Sequence, residues 1–218
     1  MAAEETKNRI LDAAERLFAQ RGFAATSLRT IISEAGVNLA AVHYHFGSKE
    51  ALIGAVFVRR FGPINQERIA RLDELEKTCA GVVQLPEIIQ AFVSPAVRIA
   101  TAEPDGGATL LRLIGRVHTE LGSSARQILR KELGEVVDRF EASLQRALPE
   151  LGRAELALRF RFVVAAMATA LAAHADPEAV PGFERRDLNE LVAMVATFTA
   201  AGMLAPAGLK GPVAGDEQ

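Results

Sequence analysis

Residues 26–49, TSLRTIISEAGVNLAAVHYHFGSK, constrain this chain more than any other stretch. Leu28, Ile31, Ile32 and Ala35 recur at helical spacing and give a first short helix one apolar face. Gly36 follows at once, where a backbone with positive φ is easiest to place. Asn38 is positioned to cap a second helix by accepting a hydrogen bond from a free backbone N–H. Val42 and Phe46, four residues apart, share its inward face. Leu39, Ala40, His43 and Tyr44 fall on the other side, a mixed surface that a protein core does not require. Two short helices joined by a Gly-containing turn form a helix-turn-helix, whose second helix fits a DNA major groove.

The rest of the chain reads as helix. A first helix is expected over residues 6–20, with Ile10, Ala13, Ala14, Leu17 and Phe18 as its stripe. Residues 1–5 read as a frayed end, Gly22 as the stop and Thr26 as the cap of the next helix. Ser48 caps a long fourth helix, which Gly62-Pro63 is expected to kink or restart. Leu85-Pro86 opens a fifth helix. Others are expected near residues 108–119, 125–148, 153–173 and 186–203, with a loop at 103–107 and a break at Gly122-Ser123-Ser124. Runs of alternating β-branched residues are missing from the sequence, so little or no sheet is expected. The expected fold class is therefore all-α: an N-terminal three-helix helix-turn-helix domain at residues 1–50 and a larger helical domain at 51–205. The Gly/Pro-rich tail at 206–218 should be disordered.

Bulk composition narrows the chemistry. Half of the 218 residues are hydrophobic, with no Trp and one Tyr, so a sizeable core must rest on aliphatic residues and Phe. The net charge of −2 argues against coating nucleic acid through bulk charge. Within residues 1–50 the balance is even: Lys7, Arg9, Arg16, Arg21, Arg29 and Lys49 face Glu4, Glu5, Asp12, Glu15, Glu34 and Glu50. DNA binding must come from placement. The lone Cys79 rules out an internal disulfide and suits a reducing cytoplasm. The polar N-terminus is unlike a signal peptide. The most apolar stretch, residues 160–173, is broken by Arg161 and is shorter than a membrane span. A cytoplasmic protein with no membrane association is expected.

Residues 8–53 carry a resemblance. The helix-one LF, the RGF-x-x-T turn, the AGV turn, HF and SKEAL resemble the DNA-binding domain of the TetR family of transcriptional regulators. The wording NLAAVHYHFGSKEALI is similar to a subgroup linked to fatty-acid or xenobiotic responses. The resemblance implies an all-helical homodimer with an N-terminal helix-turn-helix domain and a helical ligand-binding and dimerisation domain, whose ligand releases DNA. Ile32 stands where the family commonly has Ala, and His43 where it often has Tyr.

The resemblance also places Arg29 within reach of a base edge, where Arg prefers guanine O6/N7, worth about 1–3 kcal/mol of discrimination. Leu39, Ala40 and Ala41 open the recognition helix with apolar side chains suited to thymine methyls. Ser27, His43, Tyr44, His45 and Lys49 suit phosphate, and Asn38 completes the expected DNA-contacting set. Against these stand plainer roles: Arg29 as a solvated surface residue, Tyr44 packed inward. His43 and His45 point to nearly opposite sides of a helix at about 100° per residue, which argues against a shared metal.

In the C-terminal part, Val163, Met167 and Leu171 belong to one apolar stripe and Leu191, Val195 and Phe198 to another. Paired across a two-fold, they would form a four-helix bundle between two copies. Phe61, Phe92, Leu110, Ile114, Phe140 and Phe162, with Arg112, Arg116 and His118 as polar anchors, are the expected wall of a pocket for a small hydrophobic effector. Simple core packing is the alternative for each. No cofactor is implied, and no Gly-rich phosphate loop, nucleophile elbow or zinc spacing suggests an enzyme. The expectation is a ligand-responsive repressor that binds a palindromic double-stranded DNA operator. An activator of the same fold, or a helical dimeric interaction protein, are the alternatives.

Overall fold

The computed structural model describes residues 2–207 except 80–81, 103–105, 121–122, 181 and 185, and within that span the side chains of all but 2, 106, 118–119, 123–129, 131–132 and 179. Every regular element among the described residues is helical: α1 (Ala2–Arg21), α2 (Leu28–Ala35), α3 (Leu39–Phe46), α4 (Lys49–Thr78), α5 (Leu85–Ala102), α6 (Gly106–Glu120), α7 (Ser123–Ala147), α8 (Arg153–Ala175) and α9 (Leu188–Met203). A single 3-10 turn, Pro177–Ala179, follows α8. The chain is all-α, with helix-turn-helix elements first and a larger bundle after them.

Two apolar cores organise these helices. The first gathers Ile10, Phe18, Phe23, Ile31, Val42, Leu52 and Phe57 from α1–α4, and Leu113 reaches into it from α6. The second joins Ile64 and Leu72 of α4 to α5–α9. The apolar division thus falls inside α4, between Phe57 and Ile64, rather than at 50/51. α4 is also bolted to α1 by charge. The buried Glu15 carboxylate accepts from Arg59 Nη2 at 2.6 Å and from Arg60, while Arg59 Nη1 also reaches Asp12 at 2.7 Å.

Several local expectations change. Residues Ala2–Glu5 belong to α1, so its start is not frayed there. The cap of α2 is Ser27, not Thr26. Thr26 is buried instead, and its hydroxyl donates to Gly22 O at 2.7 Å, which closes the turn after α1. Gly106 and Gly107 already belong to α6, and Ser123-Ser124 open α7 rather than break it. Residues 103–105, Gly122 and most of the expected tail, 208–218, lie outside the described residues.

Pro63 does not interrupt α4, which runs 30 residues through it. An interior Pro costs a helix about 3 kcal/mol. Here the ring is on the exposed side, and the flanking turns are held in different cores, so packing outweighs the lost bond.

α8 also differs from expectation. It spans 23 residues and is long and apolar enough, by length and composition, to cross a membrane. Leu156, Phe160, Val163, Met167 and Leu171 nevertheless lie in the second core, where α8 packs against α6 and α9. It is a bundle helix whose apolar character exceeds what one buried face needs.

The turn between α2 and α3 depends on Gly36, whose φ of 61° and ψ of 41° are left-handed. A Cβ there would also stand 2.9 Å from Arg9 Nη2. Gly36→Ala should therefore lower stability by about 1–2 kcal/mol in urea denaturation. Gly62→Ala meets open space inside a helix. It should be neutral or stabilising by up to about 1 kcal/mol in the same measurement.

Candidate nucleic-acid interface and its coupling to the helical bundle

The helix-turn-helix is set by caps. Ser27 Oγ accepts from Thr30 N at 3.1 Å at the start of α2. Asn38 Oδ1 accepts from Ala41 N at 2.8 Å at the start of α3, and Ser48 Oγ from Ala51 N at 3.1 Å at the start of α4. Each removes one orphan N–H from a helix end. Arg9, which sequence analysis did not single out, fastens the turn to α1 by donating from Nη2 to Ala35 O at 2.6 Å and Gly36 O at 3.0 Å. Arg16 adds an ion pair to Glu34 at 3.2 Å. Neither contact leaves a sequence signature, because α1 and the turn are far apart in the chain.

α3 buries Val42, packs Ala41 and Phe46 partly against the first core, and exposes Leu39, Ala40, His43 and Tyr44. Leu39 is 53% exposed and Tyr44 82% exposed. Tyr44 therefore does not pack inward; its ring meets His45 edge-on, with centroids 5.0 Å apart. Ala40 and His43 are exposed, Ala41 and His45 half-buried. Arg29 is exposed on α2, and Lys49 Nζ lies 3.5 Å from Ala24 O at the start of α4. Ser27 and Arg29 thus lie at the start of α2, Lys49 reaches back to the loop before it, and α3 follows the α2–α3 turn.

Two of these residues have their chemistry narrowed. Asn38 uses its carbonyl oxygen on the cap, which leaves its amide NH2 as the donor toward a phosphate. His43 Nδ1 lies 3.0 Å from Gly47 O. A carbonyl only accepts, so Nδ1 carries the proton, and the neutral ring offers Nε2 as an acceptor. That form repels a phosphate oxygen, and only the imidazolium would donate to it.

The helix-turn-helix is joined to the bundle by a clamp that sequence analysis did not identify. Arg116 of α6 donates to Ala19 O at 2.9 Å and Gln20 O at 3.1 Å, at the C-terminus of α1. It also pairs with Glu120, whose Oε2 accepts from Phe23 N at 3.0 Å. A cation over the last carbonyls of a helix is favourable for the helix dipole. Beside the clamp, a cleft of about 530 Å³ opens between α1, α6 and α8, lined by Gln20, Arg112, Gly115, Thr169 and Ala172. A Cβ on Gly115 would come 2.4 Å from Ala172 Cβ, so glycine permits the close α6–α8 contact.

The expected effector wall does not line an open pocket. Phe92, Leu110, Ile114 and Phe140 are buried in the second core. Phe92 stacks edge-on against Phe140 and Phe160 at 5.1 and 4.9 Å. Phe61 is half-buried, against Phe57 at 5.5 Å. Phe162 is 61% exposed on the outer face of α8 and is removed from the wall altogether. The side chain of His118 lies outside the described residues.

The expected dimer stripes also need correction. Val163, Met167, Leu171, Leu191 and Val195 are buried inside this chain's own core, and of that set only Phe198, 73% exposed, faces outward. The outward stripes are Leu158, Phe162, Ala165 and Thr169 on α8 and Met194, Phe198 and Ala201 on α9. Each repeats at helical spacing, one-third of a turn or more from the buried stripe. Among the described residues no group of three or more His, Cys, Asp or Glu side chains is arranged to hold a metal.

Comparison with known proteins agrees with this architecture. The family "Bacterial regulatory proteins, tetR family" matches residues 10–56, and "Tetracyclin repressor-like, C-terminal domain" matches residues 90–202. An HTH-type transcriptional repressor of Mycobacterium tuberculosis is 53% identical over 53 residues, covering 24% of this chain and 28% of that protein. UidR of Escherichia coli is 37% identical over 92 residues, covering 42% of this chain and 43% of its own length. The chain thus spans less than half the length of these curated relatives. A TetR-family regulator from Shewanella has the same fold, with a TM-score of 0.62, 18% identity and 90% and 97% of the two chains covered. FadR of Bacillus subtilis, solved with stearoyl-CoA, gives a TM-score of 0.60, 14% identity and 90% and 98% coverage.

The clamp has a direct consequence for local stability. Arg116→Met should leave the helical content unchanged while the Gly22 and Phe23 amides exchange with solvent faster, as read by native-state hydrogen exchange. Unchanged protection there would show that Arg116 does not hold the junction.

Proposed function

We propose, since the chain belongs to the TetR family of bacterial regulatory proteins, that it is a repressor: a homodimer that binds a palindromic operator and is released by a small hydrophobic effector. The observation that carries this is α3 itself, pinned by Val42 and the Asn38 cap while its Leu39–Tyr44 face is left open. A core helix would not expose that face, and a loosely held helix could not read a groove.

DNA contacts divide by chemistry. Arg29 offers a bidentate fork for guanine; Leu39, Ala40 and Ala41 offer apolar contact to thymine methyls. Ser27, Tyr44, His45, Lys49 and the Asn38 amide serve phosphate, with His43 joining them when protonated. One such head reads a short half-site, so two heads are needed, about 34–36 Å apart on a two-fold site.

The second copy is supplied by the outward stripes of α8 and α9. Leu158, Phe162, Met194 and Phe198 are large apolar side chains exposed on adjacent helices, the kind of patch that association covers. Effector binding in the bundle reaches the heads through α4, which both cores share, and through the Arg116 clamp on α1. Within the family we place the chain in the subgroup linked to fatty-acid or xenobiotic responses; FadR, crystallised with stearoyl-CoA, shares its fold.

Operator selection with purified protein, repeated with candidate effectors, tests the whole reading. Enrichment of a palindrome and its loss with effector are expected; absence of any sequence preference overturns it. Arg29→Ala should weaken binding to the selected operator by about tenfold or more while leaving random DNA nearly unaffected. Lys49→Ala should weaken both and flatten the salt dependence. Phe162→Glu with Phe198→Glu should give a monomer in analytical ultracentrifugation with the helical content of the parent.

A further inference from the structure

One buried charged group of the bundle has no carboxylate partner among the described residues. Arg68, two-thirds of the way along α4, is buried in the second core. Its guanidinium carbon lies 3.9 Å from the centroid of Phe92, a cation–π stack. Nε donates to Phe92 O at 2.8 Å. Nη1 donates to Asn65 Oδ1 at 3.1 Å, and Nη2 faces Met167 Sδ at 3.7 Å. Among the described residues no carboxylate pairs with it.

The acids around it are committed elsewhere. Glu67, its neighbour in sequence, turns outward to Arg71 at 2.9 Å and Arg98 at 2.6 Å. Asp73 and Glu76 both pair with Arg139, at 2.5 and 3.2 Å. Burial pushes the Arg68 guanidinium down to about 9, so it remains charged at neutral pH.

A buried charge without an anion is costly, and folding alone does not explain it here. Meeting the Phe92 carbonyl requires a single donor, which a neutral side chain could supply. The remaining edge, Nη1 and Nη2, is the fork that takes a carboxylate bidentately. It is occupied by two weak neutral acceptors, a side-chain amide and a thioether, both on flexible side chains.

The surroundings indicate what kind of anion fits. Asn65 stands in the wall of a groove of about 400 Å³ between α4 and α7, lined also by Gly62, Gln66, Ile69, Asp73, Glu135 and Val136; Asp73 is paired with Arg139. On the inner side lie Met167 and the Phe92–Phe140–Phe160 cluster. Displacing Asn65 would connect a solvent-open groove to a cation and then to an aromatic core. A small inorganic anion would satisfy the charge but leave the apolar wall unused. An acid with an apolar chain uses both.

We propose that Arg68 anchors the effector, and that the effector is a monocarboxylic acid with an apolar chain. Its carboxylate takes the Nη1–Nη2 edge in place of Asn65 and Met167, and its chain packs against the Phe92 cluster. This rests on the reading that a hydrophobic effector controls DNA binding.

The test uses the full-length chain with octanoic, decanoic and hexadecanoic acids, their methyl esters and the matching alcohols. Binding is read by calorimetry and operator release by fluorescence anisotropy. At least one acid should bind about tenfold or more tightly than its ester and its alcohol. Arg68→Met should remove that preference while ester binding stays as it was, and Asn65→Ala should preserve it. Equal binding of acid and ester, equal binding of the acid to Arg68→Met, or binding of no acid overturns the proposal. If Arg68→Met does not fold, the acid-to-ester ratio on the unaltered chain decides. An acid that binds through Arg68 without releasing the operator leaves the site standing and removes the release mechanism. Release by neutral compounds alone, equally in Arg68→Met, does the reverse.

Discussion

One helix belongs to two cores, and the rest of the structure depends on that. Leu52, Val56 and Phe57 of α4 are held among the DNA-reading helices, while Ile64 and Leu72 are held in the bundle. A helix packed at both ends cannot rotate or slide at one end without moving apolar side chains at the other. Packed interiors resist this in small steps and yield in discrete ones. The Glu15 pairs with Arg59 and Arg60 add α1 to the same lever, and the Arg116 clamp ties the end of α1 back to α6. The heads and the bundle are therefore joined by a loop of rigid elements: α4, α1, α6.

The distribution of arginine along this lever follows from burial. At the solvent edge, Arg71, Arg98 and Arg139 sit in carboxylate pairs whose value is reduced by water and salt. Glu15 is different: it is buried, and two guanidiniums share it, so its charge is compensated where water cannot help. Arg68 is buried too, but it has an aromatic face, a carbonyl, an amide and a sulfur where Glu15 has ions. The contrast separates buried charge compensated by ions, at Glu15, from buried charge held by neutral groups, at Arg68.

The parts that could be read from sequence were those fixed by local chemistry. Gly36, Asn38 and Ser48 mark turns and caps whose geometry is decided within four residues, so the helix-turn-helix followed from spacing. The Thr26/Ser27 exchange shows the limit. Both residues can cap, and only the tertiary contact of the Thr26 hydroxyl with Gly22 O assigns the role to Ser27. Arg9 and Glu120 act over long stretches of chain and left no local signal, and Arg116 stood out only as a charge on an apolar helix, which does not reveal its contacts with Ala19 O and Gln20 O. In α8 and α9 the difficulty was phase. When apolar residues cover more than one side of a helix, periodicity cannot say which stripe faces the core. Val163 and Phe162 are adjacent in sequence, and packing against α6 and α9 sends one inward and the other to the surface.

Control by an effector requires more than a place to bind. A ligand that favours both states equally shifts nothing, and moving a population from about 1:99 to 99:1 needs about 5.5 kcal/mol of differential binding. A closed aromatic core around a charge is suited to that demand. In the closed state Asn65 and Met167 occupy the guanidinium edge and the three Phe rings fill the space behind it, so a ligand has little to gain. Opening exposes a cation and an apolar wall together, and a ligand that satisfies both stabilises only the opened form. Asn65, Arg68 and Ile69 are on α4, so the cost of opening falls on the helix that also carries Leu52 and Phe57 under the DNA-reading head. On the proposed mechanism, the packing of Phe92, Phe140 and Phe160 around Arg68 is the resting arrangement, and the carboxylate takes the guanidinium edge when it opens.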